Sequence, residues 1–254
     1  MKYKWGIPSY QRADKPYTVD LLHKLGYSKE EIVVCTQTKE DYERYKNLQG
    51  EKAIIIYKPG VNDSMNRNAT LDYMKDEKYL LLADDDIKAL LRLSADGSKL
   101  IPFETREELE RTFDAMFRYS LKNNCKLWAW YPVENAFFMK HTIDDKNILC
   151  GTVFGVVNSK AIRFDPSFYL KGDYEISLRL ISYGMNTIRF NGYTCKANHR
   201  STGGCEEMRK AGRNEKNFRD LLDIYPDLIA PSTRPGEIKF IGKIRHSKEE
   251  ELWK

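Results

Sequence analysis

Short apolar runs alternate with longer polar stretches along roughly the first ninety residues of this chain. Runs at 4–7, 31–36, 53–57 and 79–83 are too short for self-sufficient helices and read as buried strands. Between them, helical patterns cover 17–25, closed by Gly26, then 39–48, then 65–74 with Ser64 as the expected N-cap. Strands spaced by helices in this way predict a parallel, right-handed βαβ sheet. After Ile87 the pattern changes. Leu90, Leu91 and Leu93 precede the turn Ser94-Ala95-Asp96-Gly97, and the capping box Thr105 to Glu108 opens a helix with Leu109, Phe113, Met116 and Phe117 on one face. That stripe reads as core. An alternating strand follows at 126–132, where Trp128 and Trp130 either stack on a ligand or pack as one face. A buried strand is expected at 150–158, a strand pair at 187–197, and between them a helix with Asp173 as N-cap, running through Ile176, Leu180 and Ile181 to Gly184.

Composition adds bounds. The 254 residues, 41% hydrophobic and 31% charged, suit an α/β protein of one large domain or two fused halves. No signal-peptide core and no membrane-length apolar run are visible, and five scattered cysteines lack metal-ligand spacing, so a cytoplasmic protein with reduced thiols and no membrane partner is expected. The net charge of +5 is mild, but it is uneven. From Lys196 to Arg219 seven Lys/Arg stand against three Asp/Glu, and Arg234, Lys239, Lys243 and Arg245 continue the bias. Such a flank is either a solvated face or the contact surface for a polyanion.

The chemistry concentrates where the fourth apolar run ends in Asp84-Asp85-Asp86. Three adjacent carboxylates repel unless something positive offsets them. In an extended strand Asp84 and Asp86 share one side and Asp85 points away, an arrangement suited to a hard divalent cation on a substrate pyrophosphate. The bland alternative is an acidic turn. The loop Ile7-Pro8-Ser9-Tyr10-Gln11-Arg12 ends the first strand, Thr36-Gln37-Thr38 ends the second, and Arg67 falls early in the third helix, all at ends where open α/β sheets place ligands.

Ile-Pro-Ser-Tyr-Gln-Arg closing the first strand, a βαβ half of about a hundred residues and Ala-Asp-Asp-Asp-Ile together resemble a glycosyltransferase of the GT-A fold. The resemblance covers roughly the first 200 residues, with the aspartate motif and opening loop its specific parts. It implies a single GT-A domain, a Rossmann-like mostly parallel sheet with helices on both faces. The nucleotide-sugar half would occupy 1–100, the acceptor half 101–200 and a basic C-terminal segment 201–254. It implies Mn²⁺ or Mg²⁺ on Asp84 and Asp86, with His199 as a possible third ligand. A UDP-sugar donor would be held by Pro8, Ser9, Arg12, Thr36, Arg67, Asp84 and Asp85. In inverting members an acidic pair opening a late helix supplies the base; here Gly172 replaces the first acid, leaving Asp173 as base and Glu175 in reserve.

The acceptor is less determined. Small size and the basic flank make the chain similar to the phage glycosyltransferases related to the base J glucosyltransferase, which modify hydroxymethylated pyrimidines in DNA. DNA is therefore the expected acceptor, with glycan or protein acceptors behind it. A sugar-nucleotide nucleotidyltransferase shares the sheet and acidic site, but such enzymes usually carry a glycine-rich loop after the first strand, and 7–15 contains no glycine. A non-catalytic nucleic-acid-binding module leaves the aspartates unexplained.

Overall fold

A computed structural model describes residues 1–60, 62–198, 213–234 and 237–253. The strands β1 (Lys4–Ser9), β2 (Ile32–Thr36), β3 (Ile54–Tyr57) and β4 (Tyr79–Ala83) lie in parallel in the order 3-2-1-4. They are connected through α1 (Tyr17–Lys24), α2 (Lys39–Gln49) and α3 (Asp63–Tyr73). Their C-terminal ends therefore share one edge, which carries Ser9, Thr36 and the aspartate triplet.

The chain then forms β5 (Ile87–Leu93), β6 (Leu100–Pro102), α4 (Arg106–Lys122), β7 (Cys125–Trp130), β8 (Thr142–Asp145) and β9 (Val153–Val157). It continues with α5 (Gly172–Ser182), β10 (Asn186–Phe190), β11 (Tyr193–Ala197), α6 (Arg213–Ile224), β12 (Ile229–Pro231), β13 (Ile238–Phe240) and β14 (Arg245–Lys248). The sheet extends past β4 through β9, β7, β10, β8 and β14 to nine strands. Beyond β4 most pairings are antiparallel, with β10–β7 the parallel exception. Strands β11, β5 and β6 form a separate small sheet.

Strand alternation divides the core. Leu81 and Ala83 face one cluster with Val19 and Leu22 of α1 and Phe113 and Phe117 of α4. Leu80 and Leu82 face the other, with Leu71 of α3 and Ile176 and Leu180 of α5. Helices thus cover both faces, as a sheet buried on two sides requires. Among the described residues no helix is long and apolar enough to cross a membrane.

Several expectations are corrected by tertiary context. The helix α3 starts at Asp63, because Asn62 rather than Ser64 caps it by accepting the Met65 N–H at 2.9 Å. Residues 187–197 do not form one hairpin: β10 joins the large sheet and β11 the small one. Trp128 and Trp130 are buried, packed against Phe113, so ligand stacking is ruled out for them. Gly155 is what admits Trp128, since a Cβ there would overlap the indole. The C-terminal strand β14 is built into the sheet, pairing with β8.

Candidate active site

Strand geometry stops at Ala83, so the aspartates form a turn into β5 instead of an extension of β4. Strand alternation consequently does not govern them. Arg12 Nη1 lies 2.5 Å from Asp85 Oδ1 and 3.1 Å from Asp86 Oδ2, pairing these two, while Asp84 Oδ1 accepts from Arg67 Nη2 at 2.7 Å. The turn is pinned by α1: the Thr18 hydroxyl donates to the Asp84 carbonyl at 2.6 Å and accepts the Ile87 N–H at 2.9 Å. From the other side Asp84 N–H donates to the Thr152 carbonyl, and Asn198 N–H to the Asp86 carbonyl. The backbone of the acidic turn is held on three sides.

The opening loop is fixed with equal care. Ser9 donates to Asp85 Oδ2 at 2.5 Å and so accepts from the Tyr45 hydroxyl, also at 2.5 Å. Gln11 adopts a left-handed φ of 58°, unusual for a side-chain-bearing residue, and its N–H is held by the buried Asp41 carboxylate. This bend turns the chain so that Arg12 reaches back over the aspartates. Pro8 lies within β1 opposite Cys35, one residue before the strand end. Thr36 reaches the same edge but is wholly buried, its hydroxyl directed to the Ile56 carbonyl, so it does not present a hydrogen bond to a base.

Arg67 is the hub of the other side. It is 5% exposed, donates to Asp63 and Asp84, and lies over the rings of Phe154 and Phe164 at 5.1 and 5.6 Å. Asp173 belongs to the same electrostatic neighbourhood: burial pushes its carboxyl up to about 6, against the pull of Lys171, Arg67 and the Tyr174 N–H. It is not the N-cap. Lys171 holds that position, and Asp173 sits one residue inside α5, accepting the Tyr174 N–H at 2.9 Å. Glu175 is no reserve base, being buried and engaged by Arg179 at 2.7 Å and by the Tyr225 hydroxyl. His199 lies outside the described residues.

Five carboxylates (Asp63, Asp84, Asp85, Asp86 and Asp173) thus share a neighbourhood with three cations (Arg12, Arg67 and Lys171), an excess of two negative charges when all are ionised. Burial, with the nearby Asp63, Asp86 and Asp85, overcomes Arg67 and raises the Asp84 carboxyl well above its ordinary range; Asp85 is pushed up to about 6 mainly by burial. Each arginine also keeps one buried nitrogen, Arg12 Nε and Arg67 Nη1, without an acceptor among the described residues. Surplus carboxylates suit a cation, and the two free arginine nitrogens suit an anionic ligand. Among the described residues no three His, Cys, Asp or Glu side chains form a ready metal cage. The donor set nevertheless fits Mg²⁺ or Mn²⁺, which are bound through one or two carboxylates plus substrate phosphates. Arg67 engages one oxygen of Asp84 and Arg12 one of Asp86, leaving a second oxygen on each.

Residues 3–204 match the family described as TET-associated glycosyltransferase. The chain belongs to that family. Its fold is similar to that of the mannosyltransferase PcManGT from Pyrobaculum calidifontis, solved with GDP-Man and Mn²⁺, at a TM-score of 0.56 and 10% identity, covering 92% of this chain and 66% of that one. That likeness establishes the GT-A architecture. S. aureus TarS, solved with UDP, matches at a TM-score of 0.47 and 14% identity over 88% of this chain and 66% of its own. The chain thus spans just under two-thirds of either structure. Comparison with curated proteins returns no match.

Sequence reasoning missed Thr18, Tyr45, Asp41 and Asp63. Of these only Asp63 carried a local signal, lying four residues before Arg67 in a helix, the spacing at which such pairs meet.

Proposed function

We propose that this glycosyltransferase moves a sugar from a UDP-sugar to the hydroxyl of a 5-hydroxymethylpyrimidine in DNA, inverting the anomeric configuration. Asp84 and Asp86 would hold Mn²⁺ or Mg²⁺, which stabilises charge on a leaving diphosphate. The observation that carries the reading is the acidic turn itself: two carboxylates with spare oxygens at the C-terminal sheet edge, flanked by arginines with unused donors.

Each side chain then has a task. Arg12 holds Asp85 and Asp86 in place and keeps the edge tolerant of charge. Ser9, oriented by Tyr45, fixes the rotamer of Asp85. Arg67 positions Asp84 and offers positive charge to the sugar diphosphate. Asp173, largely ionised above about pH 6, takes the proton of the acceptor hydroxyl as that oxygen attacks the anomeric carbon. Attack opposite the leaving group gives inversion. The hydroxymethyl acceptor is supported by the association of the family with hydroxymethyl-base-modifying systems.

The test is a donor and acceptor matrix. The chain is incubated in Mn²⁺ with UDP-glucose, UDP-galactose, UDP-N-acetylglucosamine or GDP-mannose, and with hydroxymethylated or plain DNA, and nucleosides are weighed by mass spectrometry. Sugar mass on hydroxymethylated DNA alone supports the reading. Donor hydrolysis without DNA modification under any condition rejects the DNA acceptor, and full activity in EDTA rejects the metal.

A further inference from the structure

Two phenylalanines stand unusually far out of this molecule. Phe137 is 86% exposed and Phe138 55%, and Val133 in the same loop is 45% exposed. Large apolar side chains singly on a surface need no explanation, but three in one loop constitute a patch. The rings are in edge-to-face contact, with centroids 5.2 Å apart and planes at 83°.

The display is rigidly built. Asn135 caps a single 3₁₀ turn, Ala136–Phe138, by accepting the Phe137 N–H at 3.0 Å, and the Met139 N–H donates to the Ala136 carbonyl. Met139 itself is buried and anchors the loop from beneath. On the near side the Tyr131 N–H donates to the Tyr193 carbonyl, and the Thr194 hydroxyl to the Tyr131 carbonyl. The aromatic pair is therefore held out into solvent by a fixed turn.

Its location matters more. Strand β7 runs in the direction of β4, because each is antiparallel to β9 between them. The loop after Trp130 consequently leaves from the same edge as the aspartate turn, two strand spacings or about 10 Å away. Pro132 abuts Gly151, one residue before the Thr152 carbonyl that holds Asp84 N–H. Lys140, Lys196 and Lys248 are exposed around this edge: Lys140 follows the turn, Lys196 sits 3.8 Å from Glu134, and Lys248 pairs with Thr142 at the start of β8.

We propose that the Phe137–Phe138 turn is a nucleobase-engaging wedge, which enters the stack of duplex DNA beside the acceptor base while the neighbouring lysines contact phosphates. The inference rests on the DNA acceptor proposed above. A hydroxymethyl group in a duplex reaches a recessed acid such as Asp173 only if its base leaves the stack. Apolar side chains inserted at a base step fill the gap this opens, and aromatic faces stack on any base. Exposed aromatics on a sheet edge that also carries exposed lysines suit a polyanion with flat apolar faces better than a neutral glycan.

The experiment compares wild type with Phe137→Ala/Phe138→Ala and Phe137→Trp/Phe138→Trp in the full chain. Transfer is measured on hydroxymethylated duplex and single-stranded oligonucleotides, with 2-aminopurine beside the target base reporting unstacking. The alanine pair should raise KM for duplex by roughly tenfold or more and abolish the 2-aminopurine signal. Single-strand transfer should fall much less, with donor hydrolysis and melting temperature unchanged, and the tryptophan pair should keep duplex activity. If wild type modifies DNA and the alanine pair does so with the same KM and 2-aminopurine response, the wedge is overturned and the DNA acceptor stands. If wild type neither binds nor modifies DNA, both readings fall. A wild-type dimer in sedimentation that the alanine pair converts to monomer would assign the patch to a second copy and overturn the wedge.

Discussion

A β-carbon at Gly172 would run into the Ser64 hydroxyl. The first turn of α5 can therefore lie against the first turn of α3 only because residue 172 has no side chain. Ser64 is also committed to the Phe168 carbonyl at 3.2 Å, so it has little freedom to withdraw. This contact brings Asp173 into the field of Arg67 and Asp63. Glycine at position 172 is thus a packing requirement of this chain, and the carboxylate at position 173 gains its placement from it.

An acid placed at position 172 should accordingly harm the protein. Gly172→Asp is expected to destabilise by about 1–3 kcal/mol, the range for overpacking a filled site, and to lower turnover. Gly172→Ala should show the steric part alone. In combination with Ser64→Gly, which removes the obstructing hydroxyl, it should recover much of the loss, a coupling read by thermal melting of the four-variant cycle. Additive losses would show that the two helices do not meet as described.

Divalent cation should stabilise the fold measurably. A cation bound only by the native state at a hundred times its Kd contributes about 2.7 kcal/mol. Addition of Mn²⁺ with UDP should raise the melting temperature of wild type, and Asp86→Asn should remove most of that rise while leaving the metal-free protein folded. An equal rise in wild type and Asp86→Asn would place the cation elsewhere.

The aspartate turn was legible because a Leu-rich strand ending in three carboxylates has few structural explanations, and Arg67 because it falls early in a helix that starts near the strand ends. The role of Tyr45 was not legible. Its hydroxyl meets Ser9 across 36 positions of chain, a relationship that no local pattern encodes. Strand alternation misassigned the aspartates, since it applies only while the chain remains extended, and β4 ends at Ala83. Trp128 and Trp130 could be read either way because periodicity reports a shared face, not what covers it; α4 supplies the cover. Phe137 and Phe138 carried the opposite ambiguity, apolar residues outside any periodic run, and only the turn capped by Asn135 exposes them.

The end of the chain should respond to pH through a histidine. His141 Nδ1 lies 2.7 Å from Glu249, just beyond β14, and its Nε2 2.9 Å from the Ser94 carbonyl. Burial opposes the charged ring, but these two partners outweigh it and raise the His141 pKa. The charged form is therefore favoured by folding. The stabilisation is complete below the ordinary histidine value near 6.5 and is lost as pH rises through the higher folded value. With the His141 side chain 39% exposed, it should amount to under about 1 kcal/mol. Glu249→Gln should flatten this part of the stability profile above the ordinary histidine value near 6.5, as followed by melting at rising pH.

Asp173 should give opposite answers in rate and in stability. As the base it must be ionised, so turnover in wild type should climb as pH rises through about 6, the value to which burial pushes it, and level off above. The folded pKa lies above the roughly 3.9 of an unfolded aspartate, so the native state binds this proton more tightly than the unfolded chain. Ionising Asp173 therefore costs stability progressively from about pH 4 through 6. Asp173→Asn removes that cost. In EDTA the variant should match wild type near pH 4 and melt higher at pH 7, while its turnover at pH 7 falls by roughly 10²-fold or more and its donor binding holds. A residue that served only the helix would show the stability gain with turnover preserved. Unchanged turnover in Asp173→Asn would remove it from the reaction and leave the acidic turn without its proposed base.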